Sequence, residues 1–190
     1  PAFSDIEQNI DTSGKAGFFS GSSSDMAKLA SRAKQIINEI DPAAKVLSPP
    51  MTGHYQGLKR LEAFLKNGGA DSFDILSFHF YLADSIEPLD LPKLITSVRS
   101  IGAKYGFDGP IWNTEIGVII QSPVKKVSAF ESGNGLLSFV LSEEVGARTL
   151  AKLLLLSYGC GVERVYWLSW DNGTMALTYK DSADVRYLNK

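Results

Sequence analysis

The chain is short of the groups that most reaction chemistries depend on. Its single cysteine, Cys160, has no partner for an internal disulfide, so cysteine usage leaves the redox compartment open. Its two histidines, His54 and His79, lie far apart and far from Cys160, which gives no zinc-ligand spacing. No Gly-rich phosphate loop opens a helix, and neither Ser48 nor Ser169 sits in a Gly-x-Ser-x-Gly elbow. The expectation is therefore a chain with no cofactor and no bound metal. An excess of one charge is also lacking. Nineteen basic against 21 acidic residues give a net charge of −2 with no long run of either sign, so no nucleic-acid partner is expected. No apolar run reaches the ~18 residues of a membrane span, and no basic segment precedes an apolar one near the N-terminus. No membrane association is expected. The chain opens on Pro1 rather than Met, which fits removal of a leader or a longer upstream segment.

What is present suits one globular domain over residues 1–190. Apolar residues make up 44% of the 190 and charged residues 21%, enough for a sizeable core and inconsistent with disorder. Residues 3–8 alternate loosely, and a Gly/Ser-rich loop over 11–24 follows. From Asp25 the period changes: Met26, Leu29, Ala30, Ala33, Ile36, Ile37 and Ile40 recur as on the apolar face of a helix that Pro42 stops. A short apolar strand over 45–48 ends at Pro49-Pro50. A helix is expected over 57–66, with Leu58, Leu61, Phe64 and Leu65 on one face, and a strand over 74–80. A third helix over 91–105 carries Leu94, Ile95, Val98 and Ile101 inward. A strand follows over 111–117, then a patternless span of about two dozen residues, 117–141, of a length that in compact domains is often functional. Ser142 is the expected N-cap of a fourth helix reaching about Tyr158, with Leu150, Leu153, Leu154 and Leu156, and with Glu143 and Glu144 favourable in its first turn. A strand over 164–170 follows, and 171–190 is polar and weakly patterned.

Strands and helices alternate, and the strands are apolar, which means an α/β fold with a parallel sheet wrapped by helices. A closed (β/α)8 barrel needs eight strands and typically ~250 residues, whereas about five strand–helix units are readable here. The fold is thus a partial barrel or an open sheet. The most telling strand reads Pro-Ile-Trp-Asn-Thr-Glu-Ile-Gly at 110–117. Pro110 is tolerated at its first position. One carboxylate, Glu115, stands at its far end, where such barrels hold their chemistry.

Five stretches carry a resemblance. They are Asp-Pro-Ala-Ala-Lys-Val-Leu-Ser-Pro at 41–49, Phe-Leu-Lys-Asn-Gly-Gly-Ala at 64–70, Asp-Ile-Leu-Ser-Phe-His-Phe-Tyr at 74–81, the strand at 110–117, and Tyr-Trp-Leu-Ser-Trp-Asp-Asn at 166–172. In this order and spacing the chain, over about residues 18–175, resembles the later strands of clan A glycoside hydrolases. These are the retaining (β/α)8 TIM-barrel glycosidases, here of the xylosidase and endoglycosidase-like branch. The resemblance implies a carbohydrate substrate, a role in polysaccharide degradation, and a secreted or periplasmic setting rather than the cytoplasm.

Retaining hydrolysis needs a carboxylate nucleophile and a second carboxyl as acid/base roughly 5 Å away. The resemblance makes Glu115, at the end of barrel strand seven, the nucleophile. It has Tyr81 hydrogen-bond it from strand six, and it places His79 along the sugar pocket. Trp167 and Trp170 fall on strand eight, three residues apart and so on opposite faces. Trp170 is the expected sugar platform and Trp167 the core residue. Strand parity sets Asn113, beside Trp112, on the same face as Glu115. For the acid, the family carries Asn-Glu at the end of strand four, a few residues before an aromatic-Ser-Gly stretch matched here by Phe18-Phe19-Ser20-Gly21. One alignment puts Gln8-Asn9 there, and an amide at Asn9 cannot protonate a leaving group. The other moves the register by two residues, keeps the same face, and makes Glu7 the acid.

Three readings follow. The first is a retaining hydrolase of a β-linked oligo- or polysaccharide. The second is a non-catalytic carbohydrate-binding relic of that fold. The third is a piece of a barrel that associates with the missing strands, or with itself, through unpaired sheet edges.

Overall fold

The computed structural model of the chain describes residues 19, 21–52, 55–81, 90–121, 140–170, 175, 177–180 and 186–188. The expected first strand over 3–8, with Glu7 and Asn9, lies outside these residues, as do His54 and most of the span 117–141.

Helix α1 runs over Ser23–Ile40. It starts two residues earlier than its apolar period suggests because Ser22 and Asp25 form a capping box: the Asp25 N–H donates to Ser22 Oγ at 3.1 Å, and Ser22 N–H donates to the Asp25 carboxylate at 3.2 Å. The apolar face read from the sequence is largely uncovered. Leu29, Ile36, Ile37 and Ile40 are 61, 39, 37 and 80% exposed, and Ala27 is the helix's buried residue. The helix rests on the 3-10 turn Gly69–Ser72 and on helix α2, Tyr55–Lys66, so only the Met26, Ala27 and Ala30 side finds partners. A second uncovered face lies on helix α4, Glu143–Gly159, where Leu154, Leu155 and Tyr158 are exposed while Leu153 is buried. An apolar period reports what a helix face is suited to bury, and among the described residues nothing buries these faces of the two helices.

The sheet has four parallel strands in the order β1-β2-β3-β6. These are β1 Met51–Thr52, β2 Leu76–His79, β3 Ile111–Ile116 and β6 Val162–Trp167. The strand expected over 45–48 is instead a run of separate contacts. Ile75 N–H donates to Val46 O, Ser48 N–H donates to Ile75 O, and Leu47 bridges Ile75. Pro49 and Pro50 have no N–H to donate, so the ladder resumes beyond them, with Met51 and Thr52 beside Phe78 and His79. The expected strand over 164–170 begins earlier and stops at Trp167. Residues 168–170 turn instead to the stretch 175–178, with Ser169 N–H donating to Met175 O, Leu177 N–H to Ser169 O and Thr178 N–H to Trp170 O. Beyond lie two short antiparallel strands absent from the sequence reading, β7 Thr178–Lys180 and β8 Arg186–Leu188. Two more, β4 Ile119–Ile120 and β5 Val140–Leu141, pair in parallel at the ends of the long span.

Helices α2, α3 (Leu91–Lys104) and α4 (Glu143–Gly159) cover one face of the sheet. Ser142 caps α4 as expected, accepting from Val145 N–H at 3.3 Å. Leu61, Phe64, Leu94, Ile95, Val98 and Leu153 from the helices meet Leu76, Phe78, Phe80, Ile111 and Val162 from the strands. Each such side chain contributes about 1.5–3 kcal/mol on burial. This packing holds the C-terminal ends of β2 and β3 side by side.

Candidate active site

In-register neighbours of two parallel strands point to the same side. Phe78 pairs Asn113, and Phe78 lies in the helix-side core. Ser77 points the other way, with its hydroxyl 2.6 Å from that of Thr114. Steps of two from Ser77 carry His79 and then Tyr81 to that same face, opposite the helices.

Simple alternation would send Glu115 to the helix side with Asn113. The structure corrects this. Against β6, Asn113 pairs Val165 and Ile116 pairs Trp167, so three steps on β3 oppose two on β6. The extra residue is a bulge, a device that re-aims a side chain, and it brings Thr114 and Glu115 onto one face. Asn113 stays behind, wholly buried, with its Oδ1 accepting from Phe80 N–H at 3.4 Å. It holds up the sheet and does not share the face of Glu115.

The bulge carries Glu115 to Tyr81, whose phenol donates to Glu115 Oε1 at 2.9 Å. His79 Nδ1 stands 3.8 Å from the same oxygen, beyond hydrogen-bond length, with its ring edge-on to that of Tyr81. Burial, the hydrogen bond to Glu115 and that carboxylate's charge together push the Tyr81 phenol far above its ordinary value, so it stays a donor. Burial pulls the His79 imidazole below its ordinary value, against the opposing pull of Glu115. Burial thus favours the neutral ring beside the carboxylate over an ion pair. Glu115's side chain is 36% exposed, and its Oε2 takes no hydrogen bond among the described residues. The arrangement can hold a carboxylate by one oxygen and offer the other to a substrate.

Trp167 packs against the core in register with Ile116, and Trp170 is 59% exposed just past the end of β6. Trp112, next to Asn113, belongs to the opposite end of β3. Its Nε1–H donates to Glu163 at 3.3 Å, and the Arg164 guanidinium lies 4.4 Å from its ring centre. Sequence reasoning missed the hydroxyl layer behind the site. Ser48 Oγ accepts from Ser77 N–H at 2.9 Å, and Ser77 meets Thr114. The Leu47-Ser48 and Leu76-Ser77 dipeptides, on neighbouring extended stretches, were the signal for it. Among the described residues no cluster of His, Cys, Asp and Glu could hold a metal ion.

A family model for the glycosyl hydrolase catalytic core matches residues 19–133. Among solved structures, a glucosidase from Croceicoccus marinus aligns at TM-score 0.58 and 20% identity over 87% of this chain and 38% of its own. An α-L-arabinofuranosidase from Thermotoga maritima, in an arabinose complex, aligns at TM-score 0.56 and 16% identity over 92% of this chain and 35% of its own. No curated protein matches the sequence. The chain thus spans little more than a third of the length of these two structures. At these identities the likeness is one of fold, an α/β architecture whose four parallel strands fit a partial (β/α)8 barrel. With the family model covering more than half of its residues, the chain belongs to the glycosyl hydrolase catalytic core family.

Proposed function

We propose that the chain carries the nucleophile side of a retaining glycoside hydrolase acting on a β-linked oligo- or polysaccharide, with Glu115 as nucleophile. The observation that supports this best is the 2.9 Å hydrogen bond from Tyr81 to Glu115 Oε1 at the C-terminal ends of two neighbouring parallel strands. A carboxylate held by one oxygen in a barrel's reactive end is suited to attack. In the first step Oε2 bonds to the anomeric carbon, the glycosidic bond breaks, and the leaving oxygen takes a proton from a second carboxyl group. In the second step water, deprotonated by that same group, displaces Glu115 and frees the sugar with its configuration retained. Glu7 is the proposed acid/base. His79, neutral and so both a donor and an acceptor, is proposed to bind a sugar hydroxyl, and Trp170 to stack under a sugar ring.

The test is hydrolysis of an aryl β-glycoside by the full polypeptide and by its Glu115→Gln variant. A loss of at least about 10³-fold in kcat is expected on removing a nucleophile. Unchanged hydrolysis would overturn the assignment.

A further inference from the structure

We propose that Gly117 is a positioning residue, whose missing side chain lets the end of β3 close on the backbone beyond β6 and so sets Glu115 against Tyr81. The proposal rests on reading Glu115 as the nucleophile. A Cβ on Gly117 would collide with the carbonyl oxygen of Leu168 and lie 3.4 Å from Met175 Sδ. The nearer neighbour is backbone, which cannot swing aside as the end of a side chain could. Leu168 is held on both flanks as well. Its N–H donates to Ile116 O at 2.8 Å, and the next two residues are bonded to the stretch 175–178, through Ser169 N–H to Met175 O at 3.1 Å and Thr178 N–H to Trp170 O at 3.0 Å.

Both partners of the site feel this contact. Glu115 is two residues back along the same strand, just inside the bulge that aims it. Tyr81 packs in a small separate cluster with Ile119 and Met175, against which Leu168 rests. A methyl group at 117 would therefore drive the Glu115 strand end away from the residues that hold Tyr81. It would also shift the backbone that leads to Trp170. Gly117 is not needed for a left-handed turn, in contrast to Gly106, whose φ is +85° with open space around it.

That contrast supplies the experiment, in which Gly117→Ala, Gly106→Ala and Glu115→Gln are compared in the full polypeptide. The readouts are Tm, aryl glycoside kinetics and NMR titration of the His79 ring. Gly106→Ala strains the backbone and should lower Tm while leaving kcat and the His79 titration unchanged. Gly117→Ala should lower kcat about 10²-fold, the scale of an ångström misplacement, with KM nearly constant. It should also move the His79 titration to lower pH as the carboxylate that opposes its desolvation withdraws. If Glu115→Gln abolishes hydrolysis while Gly117→Ala keeps kcat within about twofold of the parent and leaves His79 unmoved, the inference is wrong. If Glu115→Gln stays active, the nucleophile reading fails instead, and the His79 titration alone still decides whether Gly117 sets the geometry. Should Gly117→Ala not fold, hydrogen exchange of the Leu168 amide in the parent chain decides. Protection like that of core strand amides supports the locked contact, and exchange at the rate of a free amide overturns it.

Discussion

Tyr81 reaches across from the end of one strand to hold a single oxygen of Glu115 on the next. A hydrogen bond to a charged acceptor is worth roughly 1.5–3 kcal/mol. Tyr81→Phe removes it and keeps the ring that packs with Ile119 and Met175. We expect kcat to fall about 10- to 100-fold, with KM little changed and Tm lowered by only a few degrees. Steady-state kinetics beside a melting curve separate this from a structural role, in which Tm would fall and kcat would hold.

The identity of the acid is tested by the leaving group. A glycoside that leaves as a good anion needs no proton, whereas an alkyl glycoside does. Glu7→Gln should lower kcat/KM for the alkyl substrate by about 10²–10⁴-fold and barely touch kcat/KM for the activated one, whose kcat falls because the second step has lost its base. If Glu7→Gln changes neither and Asn9→Glu creates turnover, the chain is a carbohydrate-binding relic whose acid was lost at position 9.

His79 makes stability depend on pH. Burial places its folded-state value below that of the unfolded chain, which is about 6.5. Below that pH the unfolded chain binds a proton that the folded one refuses, so stability is full above about pH 6.5 and declines as pH falls toward the folded value. Tm measured between about pH 7.5 and 5 should drop more for the parent than for His79→Gln. Parallel profiles would contradict the buried, neutral histidine.

Asp74 anchors the other end of the sheet. Its carboxylate accepts from Val46 N–H at 2.9 Å and from Lys34 Nζ at 3.2 Å, and Lys34 also donates to Phe73 O at 3.0 Å. The Val46 N–H, more than Lys34, draws the Asp74 carboxyl below its ordinary value, against partial burial. This stability is present above about pH 3.9, the ordinary aspartate value, and is lost as pH falls through the lower folded value. Asp74→Ala should cost about 1–2 kcal/mol at neutral pH. Denaturant midpoints of the two proteins should converge in acid.

The fold was largely legible because alternating apolar strands and amphipathic helices leave a parallel sheet as the one way to bury both. Glu115 and His79 were legible as residue types at strand ends, and Tyr81 only through the resemblance. What alternation could not supply was the bulge between Asn113 and Ile116, since a register shift is set by the partner strand and not by local pattern. The capping box at Ser22 and Asp25 was readable but lay inside a Ser-rich run that resembled loop. The exposure of Leu29, Ile40 and Leu155 was not readable, because periodicity carries no information about whether a covering layer is present. The closeness of Gly117 to Leu168 needed the coordinates of both.

The central claim is that Glu115 becomes covalently bonded to the sugar. The most direct test treats the full polypeptide with activated 2-deoxy-2-fluoro β-glycosides, whose fluorine slows breakdown of a glycosyl-enzyme and whose leaving group departs without an acid. Peptide mapping by mass spectrometry then locates the label. The account predicts a single glycosyl group esterified to Glu115, and none in Glu115→Gln. A label on another residue, or turnover of these substrates with Glu115 unmodified, would contradict it.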